Sequence, residues 1–241
     1  MLRVTVLELP ATWGEPALAL ARAEALIATG PPSDLVLLPE QSLTGYVSPL
    51  GDFDLARFAE PLDGPTAAAL AAVARRRKLH LVAPLVLAED GAIHNAALGF
   101  GPDGTLLFVY RKRHPWLPER WATPGTGPPP LVTIGGVVVT LCVCYDVHFV
   151  ASESAALLAA ADLLLFPSAW VDEHATRVPI LRALARRHGV AVANANWGPG
   201  VVRLPGQGQS IVIDRDGATL ASVTRAGARA DAVIAAASTT G

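Results

Sequence analysis

Val137-Val138-Val139-Thr140-Leu141-Cys142-Val143, followed at once by Cys144-Tyr145-Asp146, is the stretch whose reading decides the fold. The seven residues carry no charge and begin with three valines, so they read as a strand. Their apolar character does not alternate. A strand apolar on both faces is a central strand covered on each side. The polar pair Tyr145-Asp146 then marks where the chain leaves the sheet.

Working outward, strand and helix character alternate along the whole chain. Downstream, Ser152–Ala161 reads as a helix, Leu163–Phe166 as a strand and His174–His188 as an arginine-rich helix. Val190–Ala193, Ser210–Asp214 and Thr219–Val223 complete the expected strand set, with Asp216-Gly217 turning between the last two. Upstream, Leu131–Ile134 is a strand and Lys112–Pro130 a proline-rich segment outside any periodic pattern, which also holds Trp116 and Trp121. A loop that long inside a compact domain is more often functional than filler. Before it come strands at Leu79–Leu87, Ile93–Gly99 and Thr105–Tyr110, the last entered by a turn at Pro102-Asp103-Gly104. The N-terminal part gives a strand at Arg3–Leu7 and a helix at Glu15–Thr29, with Pro16 in its first turn and Gly30 just past its end. A short strand at Leu35–Leu38 and a helix at Pro65–Lys78 come next. The later strands alternate with helices, whereas the middle holds hairpin-like pairs. That mixture points to α/β architecture with sandwiched mixed sheets. No short repeat, low-complexity linker or composition break divides residues 1–241, so one domain is expected.

Composition bounds the function. The chain is 51% hydrophobic with a mean hydropathy of +0.39, but no uncharged apolar run approaches the ~18 residues of a spanning helix. The most apolar stretch, Ala155 to Trp170, is interrupted by Asp162 and Pro167. The first residues lack the basic and apolar regions of a secretory signal, so a soluble cytoplasmic protein is expected. A formal charge of −2 argues against a nucleic-acid partner. The basic run Arg75-Arg76-Arg77-Lys78 is a solvated helix end that complements the helix dipole. Two cysteines make no disulfide framework, and the histidines show no ligand spacing, so neither a metal nor another cofactor is expected.

Four residues could carry chemistry. Cys144 lies where an apolar strand ends, a usual position for reactive groups in α/β proteins, whereas Cys142 looks like a packed core thiol. Lys112 is one of two lysines among 19 basic residues, set between Arg111 and Arg113. A compact ammonium reaches a thiolate or an oxyanion as a point charge, which a guanidinium fork does not imitate. Glu40 ends the strand at Leu35–Leu38, and Glu119 sits in the proline-rich loop. Each has a plain alternative: a buried apolar thiol, a surface basic cluster, an exposed carboxylate. Together they fill the needs of nucleophilic catalysis. A carboxylate takes the thiol proton, and an ammonium stabilises the thiolate and then the tetrahedral oxyanion.

Taken in chain order, Glu40, Lys112 and Cys144 with their neighbours resemble the nitrilase superfamily of carbon–nitrogen hydrolases. Leu37-Leu38-Pro39-Glu40 with Leu43-Thr44-Gly45-Tyr46 resembles its glutamate motif. His94-Asn95, the Pro102-Asp103-Gly104 turn and Tyr110-Arg111-Lys112-Arg113-His114 resemble the approach to its lysine. Cys144-Tyr145-Asp146 with Phe149 resembles the nucleophile motif. Leu163 to Trp170 resembles the family's strand and pocket segment, and Gly208 to Gly217 its closing hairpin. The resemblance implies a four-layer α-β-β-α sandwich, commonly paired as a homodimer. It also implies a Glu40–Lys112–Cys144 triad, Glu119 as a second active-site glutamate and the Tyr145 backbone N–H as an oxyanion donor. The expected reaction is hydrolysis of a small carboxamide through a cysteine thioester. Tyr46, Trp116, Tyr145 and Trp170 adjoin the triad positions and are the candidate substrate-binding residues. The sequence departs from the family pattern at Val150-Ala151, in place of Pro-Glu, and at Leu184 to His188, in place of Arg-Ala-x-Glu-Asn. It also stops soon after the last expected strand. Three other readings stand beside the amidase. A nitrilase usually carries Trp-Glu after the cysteine. A carbamoyl hydrolase could use Arg177 or Arg182 for a substrate carboxylate, although an exposed helix face is their plainer account. A non-catalytic binding protein is the third.

Overall fold

The computed structural model describes residues 1–225 and 228–237. Its elements in chain order are β1 (Leu2–Leu7), α1 (Pro16–Ala28), β2 (Leu35–Leu37), α2 (Pro65–Arg77), β3 (His80–Glu89), β4 (Ala92–Phe100), β5 (Leu106–Arg111), β6 (Leu131–Ile134) and β7 (Val137–Leu141). Then come α3 (Val147–Glu153), α4 (Ala155–Ala160), β8 (Leu163–Ser168), α5 (Arg177–His188), β9 (Ala191–Asn196), β10 (Ile211–Ile213), β11 (Thr219–Ser222) and β12 (Arg229–Ile234).

They build two six-stranded sheets, ordered β12-β1-β2-β3-β4-β5 and β11-β10-β9-β8-β7-β6. In each, three central strands run parallel (β1-β2-β3 and β7-β8-β9) and the flanking strands pair antiparallel. Alternation along β2 shows how the layers form. Leu35 and Leu37 join the core that includes Val139 and Leu141 of the other sheet, whereas Val36 packs with Leu70 and Val73 of α2 and Ala23 of α1. Leu158 of α4 and Leu181 of α5 cover the second sheet. The result is the α-β-β-α sandwich, with mixed sheets.

Three local expectations change. The helix expected at Ser152–Ala161 is two helices, and α3 already begins at Val147, straight after a short 3₁₀ turn at Cys144–Asp146. Val147-His148-Phe149-Val150 is β-branched and aromatic, so local propensity hid it. Thr219–Val223 does not complete the strand set, because β12 pairs with β1 from Leu2↔Ile234 to Leu7↔Arg229. Strand β8 also runs on through Pro167 to Ser168. The β7 ladder reaches only Leu165, so the missing N–H forfeits no bond on that side.

Candidate active site

The C-terminal ends of β2, β5, β7 and β8 meet at one end of the sandwich, with Glu40, Lys112, Cys144 and Ala169 just beyond them. Lys112 leaves β5 with its N–H still bonded to the Asn95 carbonyl of β4, at 2.8 Å. The proline-rich loop then returns across the sheet edge. Gly125 N–H donates to the Lys112 carbonyl at 2.9 Å and Thr123 N–H to the Ile93 carbonyl at 2.7 Å. This closure is tight enough that a side chain at Gly125 would overlap the Arg111 carbonyl, 2.2 Å from a built Cβ.

The loop delivers Glu119 to Lys112. Lys112 Nζ donates to Glu40 Oε1 and to Glu119 Oε1, each at 2.7 Å. Lys112 is 1% exposed and both glutamates 2%. Asn95 Nδ2 donates to Glu40 Oε1 at 2.8 Å and to Glu119 Oε2 at 3.4 Å, and Gln41 Nε2 donates to Asn95 Oδ1 at 2.7 Å. Tyr46 donates its hydroxyl to Glu119 Oε1 at 2.6 Å. The second oxygen of Glu40 accepts the Ala169 N–H at 2.9 Å. Every oxygen of the two carboxylates is thereby held by a buried donor, so the geometry is fixed before any ligand arrives.

Cys144 sits on the opposite sheet at a sharp elbow with φ +46, a left-handed conformation unusual for a residue with a Cβ. Asp146 secures the elbow. Its Oδ2 accepts Val143 N–H at 3.1 Å and the Tyr110 hydroxyl at 2.8 Å, and its Oδ1 accepts His114 N–H at 2.8 Å. One carboxylate therefore ties the cysteine turn to the lysine strand and loop. Cys142, by contrast, is fully buried among core residues.

Burial pushes the Cys144 thiol well above its ordinary value, and the Glu40 and Glu119 charges add to that while Lys112 opposes it. Burial pulls the Lys112 ammonium down, but the charges of Glu40, Glu119 and Cys144 outweigh it and leave its pKa raised. Glu119 is raised, chiefly by burial and against the attraction of Lys112. The arrangement is a resting thiol beside a permanently charged ammonium, with a carboxylate within reach of both.

A cavity of about 100 Å³ opens on Cys144, lined by Tyr46, Trp116, Tyr145, His148, Ala169 and Trp170. The four aromatic side chains named from sequence thus meet at one pocket, where Tyr46 and Trp116 stack at 6.4 Å. His148 was missed. It lies in the first turn of α3, directly after the turn at Cys144–Asp146. Asn95, legible in the sequence only as part of the His94-Asn95 motif, bridges both carboxylates. Arg177 departs from the exposed-face expectation: it is 4% exposed. Its guanidinium donates to Gly208 O at 2.6 Å, to Gln209 O at 3.2 Å and to Asn194 Oδ1. Arg182 is spent on Gly217 O and on Thr219 Oγ1, at 2.7 Å. Among the described residues, no group of three or more His, Cys, Asp or Glu is placed to hold a metal, and no helix is long and apolar enough to cross a membrane.

The carbon-nitrogen hydrolase family model matches residues 3–237. The chain belongs to the carbon–nitrogen hydrolase family. Among curated relatives, an (R)-stereoselective amidase of Pseudomonas sp. is 28% identical, covering 91% of this chain and 80% of its own. Among solved structures, the Nesterenkonia sp. AN1 amidase matches with a TM-score of 0.82 at 25% identity, covering 98% of this chain and 93% of that one. A carbon–nitrogen hydrolase superfamily protein of Xanthomonas campestris, solved with an arsenic adduct in its active site, matches with a TM-score of 0.82 at 26% identity. It covers 98% of this chain and 91% of that one. Members of the carbon–nitrogen hydrolase family with this fold therefore include amidases, and this chain shares their two-sheet architecture.

Proposed function

We propose that this carbon–nitrogen hydrolase cleaves small carboxamides by way of a Cys144 thioester. The reading rests above all on one observation: a fully buried lysine clamped at 2.7 Å by two carboxylates, one of them held by the Tyr46 hydroxyl, behind a pocket that Tyr46 lines together with Cys144.

Glu40 takes the Sγ proton as the sulfur attacks the amide carbon. The carbonyl oxygen becomes an oxyanion held by the Lys112 ammonium and the Tyr145 backbone N–H. When the intermediate collapses, Glu40 passes its proton to the departing nitrogen, the C–N bond breaks, and ammonia or an amine leaves the acyl group on sulfur. Water then attacks the thioester while Glu40 takes its proton. The second tetrahedral intermediate expels the sulfur, which recovers that proton, and the carboxylic acid departs. Glu119 keeps Lys112 charged and aimed, and Tyr46 in turn fixes Glu119.

The acyl group is short. The cavity that opens on Cys144 encloses only about 100 Å³, against about 300–1,000 Å³ for the usual ligand pocket. Its walls are aromatic, which favours aliphatic acyl chains over charged ones. Ammonia release from acetamide, propionamide, butyramide, benzamide and the matching nitriles tests the reading, with Cys144→Ala beside the parent. Amide turnover lost in the variant, with an acyl-enzyme seen by mass spectrometry, is expected. Nitriles turned over as fast as amides, or no turnover of either, would overturn it. We further propose a homodimer in the cytoplasm, for which sedimentation velocity of the purified chain and fractionation of the source cell are the tests.

A further inference from the structure

A larger cavity, about 270 Å³, lies beside the catalytic pocket and shares Trp170 as a wall. Arg177 lines it together with Asp172, Glu173, Val178 and Gln207. Among the described residues Arg177 is the one buried arginine, and no acid there lies within ion-pair distance of it, although the charges of the buried Glu8 and of Asp172 act on it from further away. Its partners are the two backbone carbonyls and the Asn194 amide oxygen, and its Nε has no hydrogen-bond partner. A buried guanidinium whose nearest acids all lie beyond ion-pair distance is costly, and a carboxylate in the cavity it lines would offset that cost.

The rest of the lining carries the opposite sign. Asp172 is saturated by His174 N–H at 2.8 Å, the Thr176 hydroxyl at 2.8 Å, Thr176 N–H and Trp170 Nε1–H at 3.3 Å, but it keeps its charge. Glu173 is exposed and makes no ion pair or side-chain hydrogen bond among the described residues. A simple anion would meet Arg177 favourably and both acids unfavourably. A ligand with a carboxylate and an ammonium satisfies all three.

We propose that this cavity binds the zwitterionic head of an α-amino acid, its carboxylate on Arg177 and its ammonium toward Glu173 and Asp172. The head has two possible sources, a free amino acid or the far end of an amide substrate whose carbonyl reaches Cys144 past Trp170. The second source rests on the amide-hydrolase reading; the site itself does not.

The test is ligand-observed NMR titration of Cys144→Ala protein, which cannot turn over, with L-alanine, L-glutamine and propionate. Alanine or glutamine binding at least tenfold tighter than propionate is expected. Glu173→Lys, an exposed change that leaves the fold intact, should weaken the amino acids at least tenfold while sparing or improving propionate. Arg177→Met should abolish both, with its melting curve recorded. If that variant fails to fold, the Glu173→Lys result stands as the test. No binding by either amino acid, or equal binding of alanine and propionate that Glu173→Lys does not alter, would overturn the proposal. In the parent enzyme, an amino acid that raises KM for butyramide marks the head as part of the substrate, whereas binding that leaves KM unchanged marks a free ligand; either supports the site. Because the titration needs no turnover, its failure leaves the amidase reading untouched. Absent turnover with the titration positive would instead strike that reading alone.

Discussion

Lys112 is held by charge on two sides, so what it does for catalysis and what it does for stability separate on mutation. Removing it leaves Glu40 and Glu119 buried and facing each other. Lys112→Met should cost about 3–5 kcal/mol, the usual penalty for orphaning a buried charge, and should abolish turnover. Adding Glu119→Gln removes one of the stranded charges, so the double variant should regain part of the stability and none of the activity. Urea unfolding of the single and double variants checks this; equal stability of the two would show that the carboxylates are not coupled through the lysine. His114 gives a pH signature. Its hydrogen bond to Asp146, at 3.0 Å, and then the nearby Glu153 raise its pKa above 6.5 against the effect of burial. The folded value lies above the unfolded one, so the stabilisation is fully present below pH ~6.5 and is lost as pH rises through the folded value. The melting temperature of the parent should fall across that window by more than that of His114→Gln; identical slopes would show that this pair contributes nothing.

At the scale of elements, the turn at Cys144–Asp146 is a joint between sheets. Asp146→Ala cuts four bonds, to Val143 and Tyr110 and two to His114. We expect a loss of about 3 kcal/mol, since hydrogen bonds to a buried charge contribute about 1.5–3 kcal/mol each and partly compensate when lost. Alkylation of Cys144 should change rate as the elbow relaxes; an unchanged rate would mean that the elbow holds without this carboxylate. The joint also shows what is legible in one dimension. Glu40 and Cys144 can be read because each follows an apolar strand, and Lys112 because it is one of two lysines and stands where a strand ends. The four aromatic residues come with them, since their loops adjoin those ends. Helix α3 is hidden by residues that favour strands, and β12, Arg229-Ala-Asp-Ala-Val-Ile, by charges that serve a sheet edge. The burial of Arg177 depends on carbonyls more than thirty residues later, Gly208 and Gln209. No local pattern encodes that, and the same holds for the bridge that Asn95 makes between two carboxylates.

For the whole molecule, the core that joins the sheets runs without a break from Val4 and Leu37 to Leu141, Leu165 and Ile213. One domain over 1–241 remains a proposal, and calorimetry tests it. A single transition whose calorimetric and van't Hoff enthalpies agree is expected, and two resolved transitions would sink it. The placement of the site has a further consequence. Glu40, Asn95 and Lys112 are carried by one sheet, and Cys144 and Ala169 by the other. The active site is a caliper that measures how far apart the two sheets stand. Val4→Ala thins the layer between them, whereas Val73→Ala thins the layer under α2. Both should lose about 2 kcal/mol, but only the first changes the gap that the thiol must span. A misplacement near 1 Å is worth up to about a hundredfold in rate, so kcat should fall in Val4→Ala and hold in Val73→Ala. Drift in amide turnover across a library of core variants would then report sheet spacing in solution, with the enzyme serving as its own ruler.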